Sequence, residues 1–270
     1  MPQAGTGNLT EHESAHDSAP SQDAPHAPHA PRTPTHTPPN TPLRYTQTAR
    51  STPTRHAERA SYDRAAVHAV IDEALVCHVG FIRDGAPVVL PTVHARVGDT
   101  LYFHGSSGGR FSLLDGEPIG VTITLIDGLV LARSWLHHSA PFRSVVAHGT
   151  ARVVTDEDER WNAMAALIDH IAPGRSADSR PPTKKELART AIVALELAEV
   201  SLKQRDASIA EEPEDMDLPH WAGVIPLRLT ASPAIPDGAL KPGVTVPDYL
   251  VGYQRGGGGR GGGGDGGGRG

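Results

Sequence analysis

The chain has 270 residues, 38% of them hydrophobic, a single cysteine and a formal charge of −6; one cysteine excludes a disulfide framework and any Cys-rich zinc or iron–sulfur centre. Acids and bases cancel over residues 1–59 and the tail from Arg255 is net positive, so residues 60–254 carry the acidic excess, which argues against nucleic acid as a partner. There is no run of 18 apolar residues to cross a bilayer, and the opening residues lack a charged stretch leading into an apolar one, so a cytoplasmic protein with no membrane partner is expected.

Ten of the 24 prolines fall in residues 1–59, repeated every two to four positions in APHAPHAPRTPTHTPPNTP. Such a segment has no apolar face and reads as disordered, its His26, His29 and His36 included. Residues 251–270 read as a second disordered segment, because twelve of the 29 glycines crowd its last fifteen positions and bury nothing. One folded domain is therefore expected over residues 60–250.

Within it, SYDRAAVHAVIDEAL spaces Val67, Val70, Ile71 and Leu75 as a helix face, with Ser61 or Asp63 as N-cap. Short β-type runs follow, split by the turn dipeptides Asp84-Gly85, Gly98-Asp99 and Asp127-Gly128: VCHVGFI, APVVLPTVHARV, TLYFHGS, IGVTITLID and LVLARSWL, then FRSVVAHGTARVV. Residues 156–172 predict a helix that buries Trp161, Met164, Ala165, Ile168 and Ile171, with its acids at the N-terminal end. A helical turn at Lys184–Ala188, one long strand in IVALELAEVSLKQ and a last strand in WAGVIPLRLT complete the pattern. Six or seven strands at hairpin spacing with a few helices predict a mainly β fold, a small antiparallel barrel with peripheral helices.

The chemistry concentrates in TLYFHGSSGGRFSLL. A strand ends at His104, the turn through Gly105, Ser106 and Gly108 exposes backbone N–H groups, and Arg110 opens a short helix; together they make an anion site suited to a phosphate monoester. On spacing alone the favoured reading is a turn that needs Gly and Ser only for its geometry. Arg143 and Ser144 begin a strand after Trp135-Leu136-His137-His138, which combines a large apolar ring with imidazoles and could cover an aromatic ligand. Adjacent histidines on a strand point to opposite faces, so no metal site is expected there. Nor do the six acids between Asp206 and Asp217 have calcium-loop order. Cys77 reads as a small buried hydrophobe, with a redox thiol as the alternative. Phosphate-loop, serine-hydrolase, zincin and Rossmann motifs are all missing.

The stretch LVCHVGFIRDGAPVVLPTVHARVGDTLYFHGSSGGR, with FRSVVAHGTARVV, WAGVIPLRL and VPDYL, resembles the flavin-nucleotide-binding relatives of pyridoxamine 5′-phosphate oxidase, on the branch with nitroimidazole-resistance reductases. The resemblance implies an FMN-binding split β-barrel of antiparallel Greek-key type that dimerises with FMN at the subunit interface. It implies that Leu90, Pro91, Thr92 and Val93 face the flavin ring, that His104 and Gly105 lie beside the ribityl chain and ring, and that Arg110 holds the phosphate. Arg143, Ser144 and Val145 would approach from a neighbouring strand, of the same or the other subunit. Pro141-Phe142 stands where such proteins commonly carry Asn-Tyr, and the C-terminal Arg- and His-bearing signature for vitamin B6 is missing. The implied activity is transfer of hydride from NAD(P)H to FMN and on to a small electron-poor acceptor, with His104 as ring neighbour or proton donor. The alternatives are a flavin carrier or sensor without turnover, or the same barrel holding haem or a deazaflavin.

Overall fold

The computed structural model describes residues 43–254. In chain order the elements are β1 (Ala60–Ser61), α1 (Arg64–Glu73), β2 (Val76–Arg83), β3 (Ala86–Val97), β4 (Thr100–Ser106), β5 (Pro118–Ile126), β6 (Gly128–Leu131), β7 (Phe142–Thr150), β8 (Arg152–Val153), α2 (Glu157–Ile171), α3 (Lys184–Ala188), β9 (Thr190–Glu196), β10 (Glu199–Arg205) and β11 (Gly223–Pro226). Nine strands form one curled antiparallel sheet in the order β1-β10-β7-β5-β2-β3-β4-β9-β8, while β6 and β11 form a separate pair. The described strands thus number eleven, against the six or seven expected. The architecture is the mainly β split barrel that the sequence predicts.

Period-two alternation builds the interior. Cys77, Val79 and Phe81 of β2, Val121 and Ile123 of β5, Val145 and Ala147 of β7, and Leu101 and Phe103 of β4 all point into one buried cluster. Helix α1, capped where the Asp63 side chain accepts from Ala66 N at 2.8 Å, plugs this interior with Val67, Val70 and Ile71. Each such side chain contributes about 1.5–3 kcal/mol by leaving water. Tyr102, Ile192 and Ala194 point the other way from β4 and β9 and are covered by Ala163 of α2 and Leu187 of α3. Cys77 is fully buried, and burial pushes its thiol up to about 12, which leaves no thiolate for redox chemistry.

Several expectations change. IVALELAEVSLKQ is two strands, because the inward residues are Val193, Leu195 and Leu197 but then Val200 and Leu202. That slip from odd to even positions reverses the faces, so the chain breaks between Glu196 and Glu199 and passes from β4 and β8 to β7 and β1. Asp127-Gly128 is not a hairpin turn: β5 pairs with β2 and β7, whereas β6 pairs with β11. A Cβ on Gly128 would sit 2.9 Å from the carbonyl oxygen of Ile225, so glycine is required there for close approach of β11. Asp84-Gly85 does turn β2 into β3, with φ of 51° and 76°, the two positive values of a two-residue hairpin loop.

Helix α2 buries Ala163 and Leu167 most deeply, with Trp161 and Met164 partly buried, while Ile171 is 43% exposed. Its phase is set by polar contacts at both ends: Glu159 accepts from Tyr102 Oη at 2.8 Å, and His170 Nε2 lies 2.7 Å from Ala74 O. Packed structure also begins before Ser61. Tyr45 N donates to Tyr62 O, the Tyr45 side chain is buried in the main core, and its hydroxyl lies 2.8 Å from His68 Nε2 and 3.1 Å from Asp99 Oδ1. The expected disorder over residues 1–42 and 255–270 lies outside the described residues; Tyr253, inside them, donates to Ile171 O. No helix among the described residues is long and apolar enough to cross a membrane.

Candidate functional site

The feature that organises the site is the parting of β3 from β4. Their ladder runs from Val97↔Thr100 to His94↔Phe103 and stops. Beyond that point β3 stays paired with β2 back to Ala86, and β4 stays paired with β9 out to Ser106. Leu90, Pro91, Thr92 and Val93 on one strand and His104, Gly105 and Ser106 on the other therefore flank a wedge, each with one strand edge outside any ladder. Unpaired backbone donors and acceptors need a partner, and a planar heteroaromatic ring with polar edges can supply one.

His104 stands at the fork. Its Nδ1 is buried with no hydrogen-bond partner in the structure, and burial lowers its pKa, so the ring is neutral at pH 7. An unpartnered Nδ1 at this point fits a ligand group that can hydrogen-bond to it. Gly105 allows close approach, since a Cβ there would meet the Phe111 ring at 3.0 Å.

The turn beyond β4 is less open than the sequence suggests. Gly109 N donates to Ser106 O at 2.8 Å and Gly108 N to Ser106 Oγ at 3.3 Å, so both amides are turned onto their own loop. Arg110 is exposed at the start of a 3-10 helix, Arg110–Leu113, and makes no ion pair or hydrogen bond among the described residues. It lines a pocket of about 180 Å³ with Phe81, Ile82, Arg83, Asp84, Leu113, Leu114 and Glu117, against the β2–β3 hairpin. The guanidinium is thus available for a phosphate, in a pocket that holds two bases and two acids.

Arg143, Ser144 and Val145 do not reach the wedge within one chain. They lie on β7, separated from β3 by β5 and β2, roughly 14 Å at three strand spacings. The Arg143 guanidinium is held by two carboxylates, with Nη1 2.5 Å from Glu73 Oε2 and Nη2 2.7 Å from Asp127 Oδ1, and these bonds raise its pKa further. Ser144 Oγ lies 2.9 Å from Thr124 Oγ1 on the outer face, and Val145 is core. Neither carboxylate partner was legible in sequence: Asp127 reads as a turn residue and Glu73 as a helix end. The outer face of β2, β5 and β7 carries Gly80, Gly120, Thr122 and Val146, and none of the described helices covers it.

Among the described residues no cluster of three or more His, Cys, Asp or Glu side chains could hold a metal ion. Trp135 and Leu136 stand almost fully exposed on a 3-10 turn, Trp135–His137, with His138 beside them.

A curled antiparallel barrel, split between two strands with a backbone-lined wedge at the fork, defines a split β-barrel protein. The family model of pyridoxamine 5′-phosphate oxidase matches residues 63–204, and the chain belongs to that family. Among solved structures, the flavocytochrome Anf3 from Azotobacter vinelandii is 37% identical with a TM-score of 0.73, over 77% of this chain and 97% of that one. The FAD and haem binding protein from Mycobacterium smegmatis is 34% identical with a TM-score of 0.68, over 72% and 96%. A 5-nitroimidazole antibiotic resistance protein from Bacteroides thetaiotaomicron is 19% identical with a TM-score of 0.45, over 54% and 86%. No curated protein sequence matches the chain.

Proposed function

We propose that this chain is a flavin- and haem-binding redox protein that takes electrons from a reduced nicotinamide at the flavin and delivers them to a small electron-poor acceptor. The observation that carries the reading is the wedge between β3 and β4, with the open Nδ1 of His104 at its apex. The cofactor pair is supported by the relatives above 30% identity, a flavocytochrome and an FAD and haem binding protein. Haem alongside the flavin is thereby preferred to the FMN-only reading of the sequence.

A bound flavin would supply the conversion of a hydride's two electrons into single-electron transfers. The chain's own residues supply the rest. The β3 edge at Leu90, Pro91, Thr92 and Val93 meets the ring, and neutral His104 hydrogen-bonds it through Nδ1. Arg110 neutralises phosphate, whether the monoester of FMN or the pyrophosphate of FAD. A second copy of the chain packs on the bare outer face of β2, β5 and β7 and brings Ser144 and the β7 backbone to the flavin, because one chain leaves them three strands away.

The test is release and identification of the bound chromophores from purified protein, with NADPH reduction followed by stopped flow. The expected result is a flavin and a protohaem together, the flavin bleaching before the haem is reduced, in a dimer by light scattering. Protein that takes up no flavin on reconstitution would sink the reading, and a monomer that retains flavin would sink the shared site.

A further inference from the structure

The loop from β6 to β7 leaves uncovered two large apolar side chains that sit side by side, Trp135 at 94% exposure and Leu136 at 93%. Single exposed apolar residues are ordinary; an adjacent Trp and Leu standing out of a fixed turn form a surface that something else covers. The turn is fixed from below. Val130 N donates to Ser139 O at 2.7 Å and Ser139 N to Val130 O at 3.0 Å, and Glu211 accepts from both the backbone N–H and the guanidinium of Arg133.

His138 follows directly. Its Nδ1 lies 2.9 Å from the carbonyl oxygen of Ser134, four residues back, on the same turn. A proton on Nδ1 donated to that carbonyl leaves the lone pair on Nε2, the tautomer and tether of an imidazole that ligates a metal. Several of the other imidazoles are engaged elsewhere. His137 Nε2 lies 4.0 Å from Glu212 Oε1, and His68 Nε2 meets Tyr45 Oη and Asp99. The Nε2 atoms of His94 and His170 lie at the carbonyls of Ile71 and Ala74, inside the fold.

We propose that His138 Nε2 is an axial ligand of the haem iron and that Trp135 and Leu136 pack against the porphyrin. This rests on the haem half of the function proposed above. An imidazole tethered through Nδ1 presents Nε2 to the iron, and the flat apolar macrocycle covers the Trp and Leu side chains that folding leaves bare.

The experiment is titration of haemin into the flavin-loaded full chain, for wild type, His138→Ala, His138→Gly and His137→Ala. The readouts are the Soret and ferrous α bands, electron paramagnetic resonance and flavin content. Expected are haemin affinity at least tenfold weaker, or a changed iron coordination spectrum, in His138→Ala, and recovery of the wild-type Soret band in His138→Gly with added imidazole. His137→Ala should keep the wild-type spectrum, and flavin content should hold in all variants. A wild-type spectrum and affinity in His138→Ala overturns the ligand assignment alone. Loss of flavin together with haem in that variant also overturns it, in favour of a structural role. Failure of the wild type to take up haemin overturns the haem half of the function, and this assignment with it.

Discussion

Arg110→Ala is the sharpest test of where the flavin phosphate lies. Arg110 is exposed and makes no bond to the rest of the described chain, so its loss removes no internal contact and leaves folding unchanged. What it removes is one charge-assisted contact to phosphate, worth about 1.5–3 kcal/mol in general. Solvent exposure, and the carboxylates of Asp84 and Glu117 in the same pocket, place it at the low end. The expected loss is about 1.5 kcal/mol, roughly a tenfold rise in Kd. Titration of flavin into apoprotein, followed by quenching of flavin fluorescence, measures it. The wild-type affinity should also fall as salt rises while the variant changes less, because an exposed ion contact is screened over about 8 Å at physiological ionic strength. Arg83→Ala, in the same pocket but paired with Asp84, serves as control. Equal Kd values for wild type and Arg110→Ala would remove the phosphate from this pocket and refute the argument.

Tyr45→Ala should lower stability by about 3–5 kcal/mol in urea unfolding, as expected for a buried aromatic, and Tyr45→Phe by about 1 kcal/mol; a truncation beginning at Ser61 that kept full stability would contradict the packing of residues 43–59. Arg143→Met leaves Glu73 and Asp127 without their shared cation and should cost about 1–2 kcal/mol at neutral pH, given its partial exposure; loss of flavin at unchanged stability would instead make Arg143 a ligand contact. His104 has its folded pKa lowered by burial, so the unfolded chain binds more protons below about pH 6.5: its contribution to stability is complete above that pH and lost as pH falls through it towards the folded value. His104→Phe should flatten the acid limb of a stability profile measured between pH 7 and pH 5, and an unchanged slope would argue against a neutral buried imidazole.

The sequence by itself determined the local structure. Asp63 capping α1, the paired positive φ of Asp84 and Gly85, and the alternation that turns Cys77, Val79 and Phe81 inward are each set within a few residues, by hydrogen bonding, by sterics at Cβ or by a period of two. The phase slip between Leu197 and Val200 was legible too, had the inward positions been counted across the whole run. Which strand lies beside which is another matter, because periodicity records which face is apolar and carries nothing about the neighbour at the edge. Tertiary structure alone decided that β3 and β4 part after His94 and Phe103, turning the two runs around Leu90–Val93 and His104–Ser106 into opposite walls of one wedge. It decided that Arg143 meets Asp127 16 residues away and Glu73 70 residues away. It also drew Tyr45 out of a polar, proline-rich context into the core, where the neighbours that bury it and bond its hydroxyl come from α1 and the β3–β4 turn. Those contacts form only once distant segments are held together, and no local pattern records them.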